Sequence, residues 1–135
     1  MSLAVLRGKV IALHTFQMLC PGCVQHGLPQ AQRIHAAFEP ADVAVVGLHT
    51  VFEHHDAMTP VSLRAFLHEY RIAFPVGVDA PGAAGGVPQT MQAYGLRGTP
   101  SLLLIDRAGR LRRHSFGAEE DMAVGAAIAT LVAER

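Results

Sequence analysis

Cys20 and Cys23 stand in "HTFQMLCPGC" (residues 14–23) and are the only cysteines in the 135-residue chain. Thiol–disulfide exchange needs a reachable thiolate, a second thiol within bonding distance, and a feature that stabilises negative sulfur. Spacing i, i+3 on a first helical turn puts both sulfurs on one side, compatible with the Cα separation of about 5.5 Å that a disulfide prefers. Cys20 falls at the expected N-cap, where free backbone N–H groups and the positive dipole end favour an anion. Its pKa is therefore expected below that of a free thiol, which makes Cys20 the nucleophile. Cys23, one turn in and more buried, is expected to resolve the mixed disulfide.

The same residues permit another chemistry. With His26 the motif reads C-x-x-C-x-x-H, and His14 supplies a fourth candidate ligand for zinc. Structural zinc sites usually set two ligand pairs at matching spacing, and this sequence has no second cysteine pair. Redox exchange is the preferred reading, and no metal is expected. Covalent haem attachment requires histidine directly after the second cysteine, where Val24 stands. Electrons travel on the sulfurs themselves, so no organic cofactor is expected.

A strand must deliver this pair and a helix must carry it. "KVIALHTF" (9–16) is apolar on both faces apart from His14, which predicts a strand buried on both sides. Val24, Leu28, Ala31, Ile34 and Phe38 recur at helical spacing over 20–38, with Pro21 at the first helical position. Pro29 lies inside that pattern and predicts a kink, with Gly27 giving slack. "VAVVGLH" (43–49) reads as a second buried strand, followed by a helix from Thr59-Pro60 to about Tyr70 and a short extended piece at 74–79. The glycine-rich stretch 80–88 reads as a loop, and a short helix over 88–94 ends at Gly95. "PSLLLID" and "LRRHSF" flank "RAG", a hairpin. Glu119, Glu120 and Asp121 are expected in the first turn of a last helix. The pattern predicts one α/β domain over residues 1–135, a mixed sheet with helices on both faces.

Composition removes several classes. Half the residues are hydrophobic, and eleven basic residues balance eleven acidic ones without charge blocks, so neither nucleic acid nor an anionic membrane is an expected partner. Apolar runs such as "SLLLI" are too short to span a bilayer. No signal peptide is visible in residues 1–10, which points to the cytoplasm unless the N-terminus is truncated.

"LRGKVIALHTFQMLCPGC" followed by "YGLRGTPSLLLIDRAGRLRRHSFG" resembles the thioredoxin superfamily, in its TlpA-like and redoxin (AhpC/TSA-type) branch. The resemblance covers residues 6 to about 134. It implies a thioredoxin fold with the active CxxC opening the first helix. It also implies a cis Pro100 opposite the cysteines, with Thr99 offering backbone hydrogen bonds to substrate, and it puts Pro21 and Gly22 on the same substrate-binding surface. Expected partners are protein or small-molecule thiols and disulfides plus an upstream reductase or oxidant, met by a monomer or weak dimer.

The chain departs from that pattern in places. Leu19 stands where an aromatic residue, most often Trp, usually precedes the first cysteine. His14 occupies the place of a buried acid that thioredoxin uses as a proton shuttle. It is expected to point beneath Cys23, as a base or as a neutral core histidine bonded to backbone. Peroxiredoxins, the enzyme alternative, carry Thr or Ser three residues before the reactive cysteine, where this chain has Gln17. A non-catalytic module with a structural or zinc-bound CxxC is the other alternative. His49, Glu53, His54, His55 and Asp56 read as a solvated loop, and His26 and Gln17 as candidates for the mouth of the site.

Overall fold

The computed structural model describes residues 2–82 and 87–134. β1 (Val10–Phe16) is buried at every position, as its two-sided apolar run predicts. The helix that follows begins at residue 21, widens into a π turn at Cys23–Gly27, and continues as α1 (Leu28–Ala37). Then come β2 (Val43–His49), α2 (Pro60–Glu69), β3 (Val76–Val78), α3 (Gln89–Tyr94), β4 (Ser101–Ile105), β5 (Leu111–Phe116) and α4 (Asp121–Ala133).

The strands form one sheet in the order β3-β2-β1-β4-β5. β1, β2 and β3 are parallel, whereas β4 runs antiparallel to both β1 and β5. The crossovers β1-α1-β2 and β2-α2-β3 step the same way across the sheet, so right-handed connections put α1 and α2 on one face. α4 joins them there: Leu28, Ala31, Ile34, Leu63, Val124, Ile128 and Leu131 share a core with Val10, Ala12, Phe16 and Leu104. The opposite face holds Ile11, Leu13, Leu103 and Ile105, covered by Met91, Leu96 and the short N-terminal 3-10 turn Leu3–Leu6. Helices therefore lie on both faces of a mixed sheet, as expected, but unevenly.

That unevenness corrects the reading of β2. Its burial alternates, with Ala44, Val46 and Leu48 only half-buried, because they face the thinly covered side. An open groove of about 430 Å³ lies there, lined by Leu13, Val46, Leu48, Val76 and Tyr94.

The other elements differ in detail. Pro29 cannot donate, and its ring would crowd the carbonyl four residues back in an α-helix. The π turn takes up that conflict, with the Leu28 N–H reaching the Cys23 carbonyl five residues back. Thr59 caps α2 by accepting from the Ser62 N–H at 3.2 Å. Asp79 caps α3 from a distance, accepting from Thr90 and Met91 N–H groups at 3.0 and 3.3 Å. Gly95 ends α3 at φ +62°, the left-handed conformation glycine favours. The hairpin loop is longer than "RAG", because Asp106 accepts from the Ala108 and Arg110 N–H groups and draws both into the turn. Of the three acids expected in the first turn of α4, only Asp121 is there; Glu120 is its N-cap and Glu119 precedes it, paired with Arg113. Part of the glycine-rich stretch 80–88, residues 83–86, lies outside the described residues.

Candidate active site

β1 ends at Phe16, and the next three residues are pinned before the chain turns into the helix. The Gln17 carbonyl accepts from the Cys20 N–H at 3.0 Å. Met18 donates its N–H to Nε2 of His49 at 3.1 Å. The buried side chain of Gln17 accepts from the Phe52 N–H at 3.1 Å and donates to Glu53 at 3.5 Å. The Cys20 carbonyl then accepts from both the Cys23 and Val24 N–H groups at 3.1 Å, which makes Cys20 the cap of the helix, as expected.

The two sulfurs live in different surroundings. Both cysteines are thiols; Cys20 is half-buried, whereas Cys23 is 0 % exposed. Cys20 Sγ donates to the Thr99 carbonyl at 3.5 Å. Burial pushes the Cys23 thiol up to about 12, and a hydrogen bond with the Cys20 sulfur adds to that. The Gln17 backbone and the Thr99 side chain pull it weakly the other way. The Thr99–Pro100 peptide is cis, as the resemblance implied. The proline ring packs directly on the cysteine turn: a Cβ built on Gly22 would lie 3.4 Å from its Cδ.

Beneath this turn lies His14, 3 % exposed. Its ring fills the space under Gly27 so tightly that a Cβ there would meet His14 Cε1 at 2.5 Å and Pro100 Cβ at 2.9 Å. Burial, with a smaller contribution from His26, lowers the His14 pKa to about 4, so the ring is neutral at ordinary pH. Its Nε2 is buried without a hydrogen-bond partner among the described residues. Phe16 lies between two histidines, stacked on His14 at 5.7 Å and tilted against His49 at 5.2 Å. Burial lowers His49 to about 4 as well.

The remaining candidates separate. His49 leaves the solvated group assigned to it and becomes a buried anchor of the pre-cysteine loop. Glu53, His54, His55 and Asp56 are exposed. Gln17 is buried, with its side chain bonded to Phe52 and Glu53. His26 commits its Nε2 to the Glu119 N–H at 3.1 Å, joining the cysteine helix to the chain entering α4. Among the described residues no group of three or more His, Cys, Asp or Glu is arranged to hold a metal ion.

At the rim Leu19 is 54 % exposed. Phe116 is 49 % exposed, and a Cβ on Gly98 would strike its ring at 2.9 Å. The Arg97 guanidinium sits 5.7 Å over that ring.

A cysteine pair at a helix mouth thus faces a cis-proline. The sequence model of the AhpC/TSA family matches residues 1–114. This chain belongs to the AhpC/TSA family. No curated protein matched it. Among solved structures, a thioredoxin-like superfamily protein is 66 % identical with a TM-score of 0.97, covering 100 % of this chain and 87 % of its own. A thiol-disulfide isomerase from Corynebacterium glutamicum is 50 % identical, also with a TM-score of 0.97, covering 100 % of this chain and 88 % of its own. A secreted disulfide oxidoreductase from Mycobacterium tuberculosis, 20 % identical over 97 % of this chain and 88 % of its own, shares the fold at a TM-score of 0.74. The AhpC/TSA chain therefore has a thioredoxin-like fold of the kind that thiol–disulfide oxidoreductases use.

Four residues around the site carry parts that the sequence reading does not give them. Gly27 is expected only to give slack, yet a glycine inside a helical pattern also signals close approach of another group. His49 ends a strand whose odd positions face the core, and that parity was the signal for its burial. Nothing local marks Phe116 and Arg97 as neighbours of the cysteine site, since the sheet alone brings them there.

Proposed function

We propose that this protein is a thiol–disulfide oxidoreductase working through a Cys20–Cys23 dithiol/disulfide couple. One observation carries the reading: two sulfurs within hydrogen-bonding reach, one at the rim beside the Thr99 carbonyl and the other sealed beneath it. In the reducing direction the Cys20 thiolate attacks a substrate disulfide. A Cys20–substrate bond forms, the substrate S–S bond breaks, and one substrate thiolate leaves to take a proton from water. Cys23 then loses its proton as it bonds to Cys20 Sγ and expels the second substrate thiolate. The substrate gains two electrons and the protein becomes the disulfide, to be reset by an upstream dithiol. The oxidising direction reverses these steps.

Cys20 attacks because only it can be reached. Cys23 resolves because burial keeps it a thiol at neutral pH until the mixed disulfide brings a target within range. The backbone of Thr99, set by the buried cis Pro100, and the exposed Pro21 and Gly22 receive the substrate strand. The thiol-disulfide isomerase named among the relatives supports this reading. The peroxidase alternative lacks the hydroxyl three residues before Cys20, and Gln17 is committed to Phe52 and Glu53.

His14 is given a positioning part. A ring that stays neutral down to about 4 would have to take a proton from a thiol held at about 12, a transfer strongly uphill. It fills the space under Gly27 and Pro100 instead. His14→Asn is expected to leave the pH profile of thiolate formation unchanged in iodoacetamide trapping; a displaced profile assigns His14 to proton transfer.

The role assignment is tested by trapping. Cys23→Ser is expected to accumulate covalent mixed disulfides with substrate, and Cys20→Ser none. Equal trapping by the two variants overturns it.

A further inference from the structure

Arg97 is an exposed cation on the segment that forms the substrate wall, two residues before Thr99, and no carboxylate lies within salt-bridge distance of it among the described residues. It is also held in place. Its guanidinium lies over the Phe116 ring, and Gly98 presses edge-on against that ring with no room for a side chain. The end of β5 is fastened to the same wall, since the Gly117 N–H donates to the Pro100 carbonyl at 2.9 Å and Phe116 pairs with Ser101. A cation stacked on an aromatic face loses less side-chain freedom when it binds an anion than a free one does.

Glu53 is tied through Gln17 to the loop that leads into Cys20. The loop before Cys20 therefore holds an acid, and the cis-proline segment an oriented guanidinium.

We propose that Arg97, seated on Phe116, is a specificity-determining residue that selects disulfides bearing a carboxylate a few bonds from the sulfur. This rests on the oxidoreductase reading above and names its substrate class. The carboxylate belongs either to a small thiol acid or to an acidic residue beside a cysteine in a polypeptide; in both, a fork of guanidinium N–H donors meets a carboxylate. Attack by Cys20 is unchanged in chemistry: one disulfide is reduced and the Cys20–Cys23 couple is oxidised by the same two electrons.

The test is single-turnover oxidation of the pre-reduced protein by three small disulfides: dithiodipropionate (anionic), hydroxyethyl disulfide (neutral) and cystamine (cationic). In parallel, peptide disulfides carry Asp, Asn or Lys next to the cysteine. Each variant is read as a ratio of anionic to neutral rate, which cancels any loss of folded protein. The wild-type ratio is expected above that of Arg97→Gln by about two- to fivefold, the size of a partly exposed ion pair. Arg97→Glu is expected to invert the order in favour of the cationic probe, and added salt to shrink the wild-type preference. A charge ordering confined to the small probes identifies a thiol acid, and one confined to the peptides an acidic segment. Ratios equal in wild type and both variants across both probe sets overturn the inference while leaving the oxidoreductase reading intact. No oxidation of the protein by any probe overturns both.

Discussion

On the outward side of the turn that carries the cysteines stand Leu19, Cys20, Pro21 and Gly22, all in contact with water. On its inward side stand Cys23 and Gly27, with His14 beneath and His49 holding the approach through Met18. The rim tolerates change because water fills whatever a side chain leaves. The floor does not, because it is close-packed and its polar groups have no water to turn to. Chemistry that needs one sulfur available and another withheld follows from this contrast.

The contrast is broken most severely by acid. Both buried histidines have folded-state values near 4, below the ordinary 6.5, so the native state binds fewer protons than the unfolded chain. Their stabilisation is present above about pH 6.5 and is lost as pH falls through about 4. At about 1.4 kcal/mol per pKa unit, each withdraws on the order of 3 kcal/mol. Denaturant melts at pH 7, 5.5 and 4 should show the loss, and His49→Gln should remove roughly half of it. A flat stability between pH 6.5 and 4 contradicts a neutral floor.

A second test uses the two glycines that flank the turn. Gly27→Val drives atoms into His14 and Pro100 and should cost about 3 kcal/mol. Gly22→Ala meets Pro100 only at ordinary contact distance in helical backbone, so it should change stability by less than about 1 kcal/mol, in the stabilising direction. Equal costs at the two positions erase the distinction between rim and floor. Between these values falls His49→Ala at neutral pH. It orphans the Met18 N–H and should cost about 2 kcal/mol, together with a faster opening of the Gln17–Leu19 amides in hydrogen exchange.

Much of this molecule was legible because its signals are local. The buried β1, the cap at Cys20, Pro60 after Thr59 and the glycine ending α3 each follow from a few neighbouring residues. The cis Pro100 came from the resemblance, since an ordinary trans proline at a strand start reads the same in sequence. What stayed hidden depends on residues far apart in the chain. The half-burial of Val46 and Leu48 follows from which face the crossovers choose. Asp79 caps a helix eleven residues on, and His49 serves a loop thirty-one residues behind it. Pro29 announced a conflict, but only the three-dimensional chain shows that the conflict is absorbed upstream, at Cys23–Gly27, rather than by bending at the proline.

That widened coil has a geometric consequence. Accommodating one residue more than an ordinary winding would hold rotates everything ahead of it, by roughly 100° of helical phase, relative to the segment anchored on the sheet. The azimuth at which the two cysteines stand over the sheet is thus fixed by a surplus residue. Excising a single position from that coil would swing the pair around the axis while every other strand and helix kept its place.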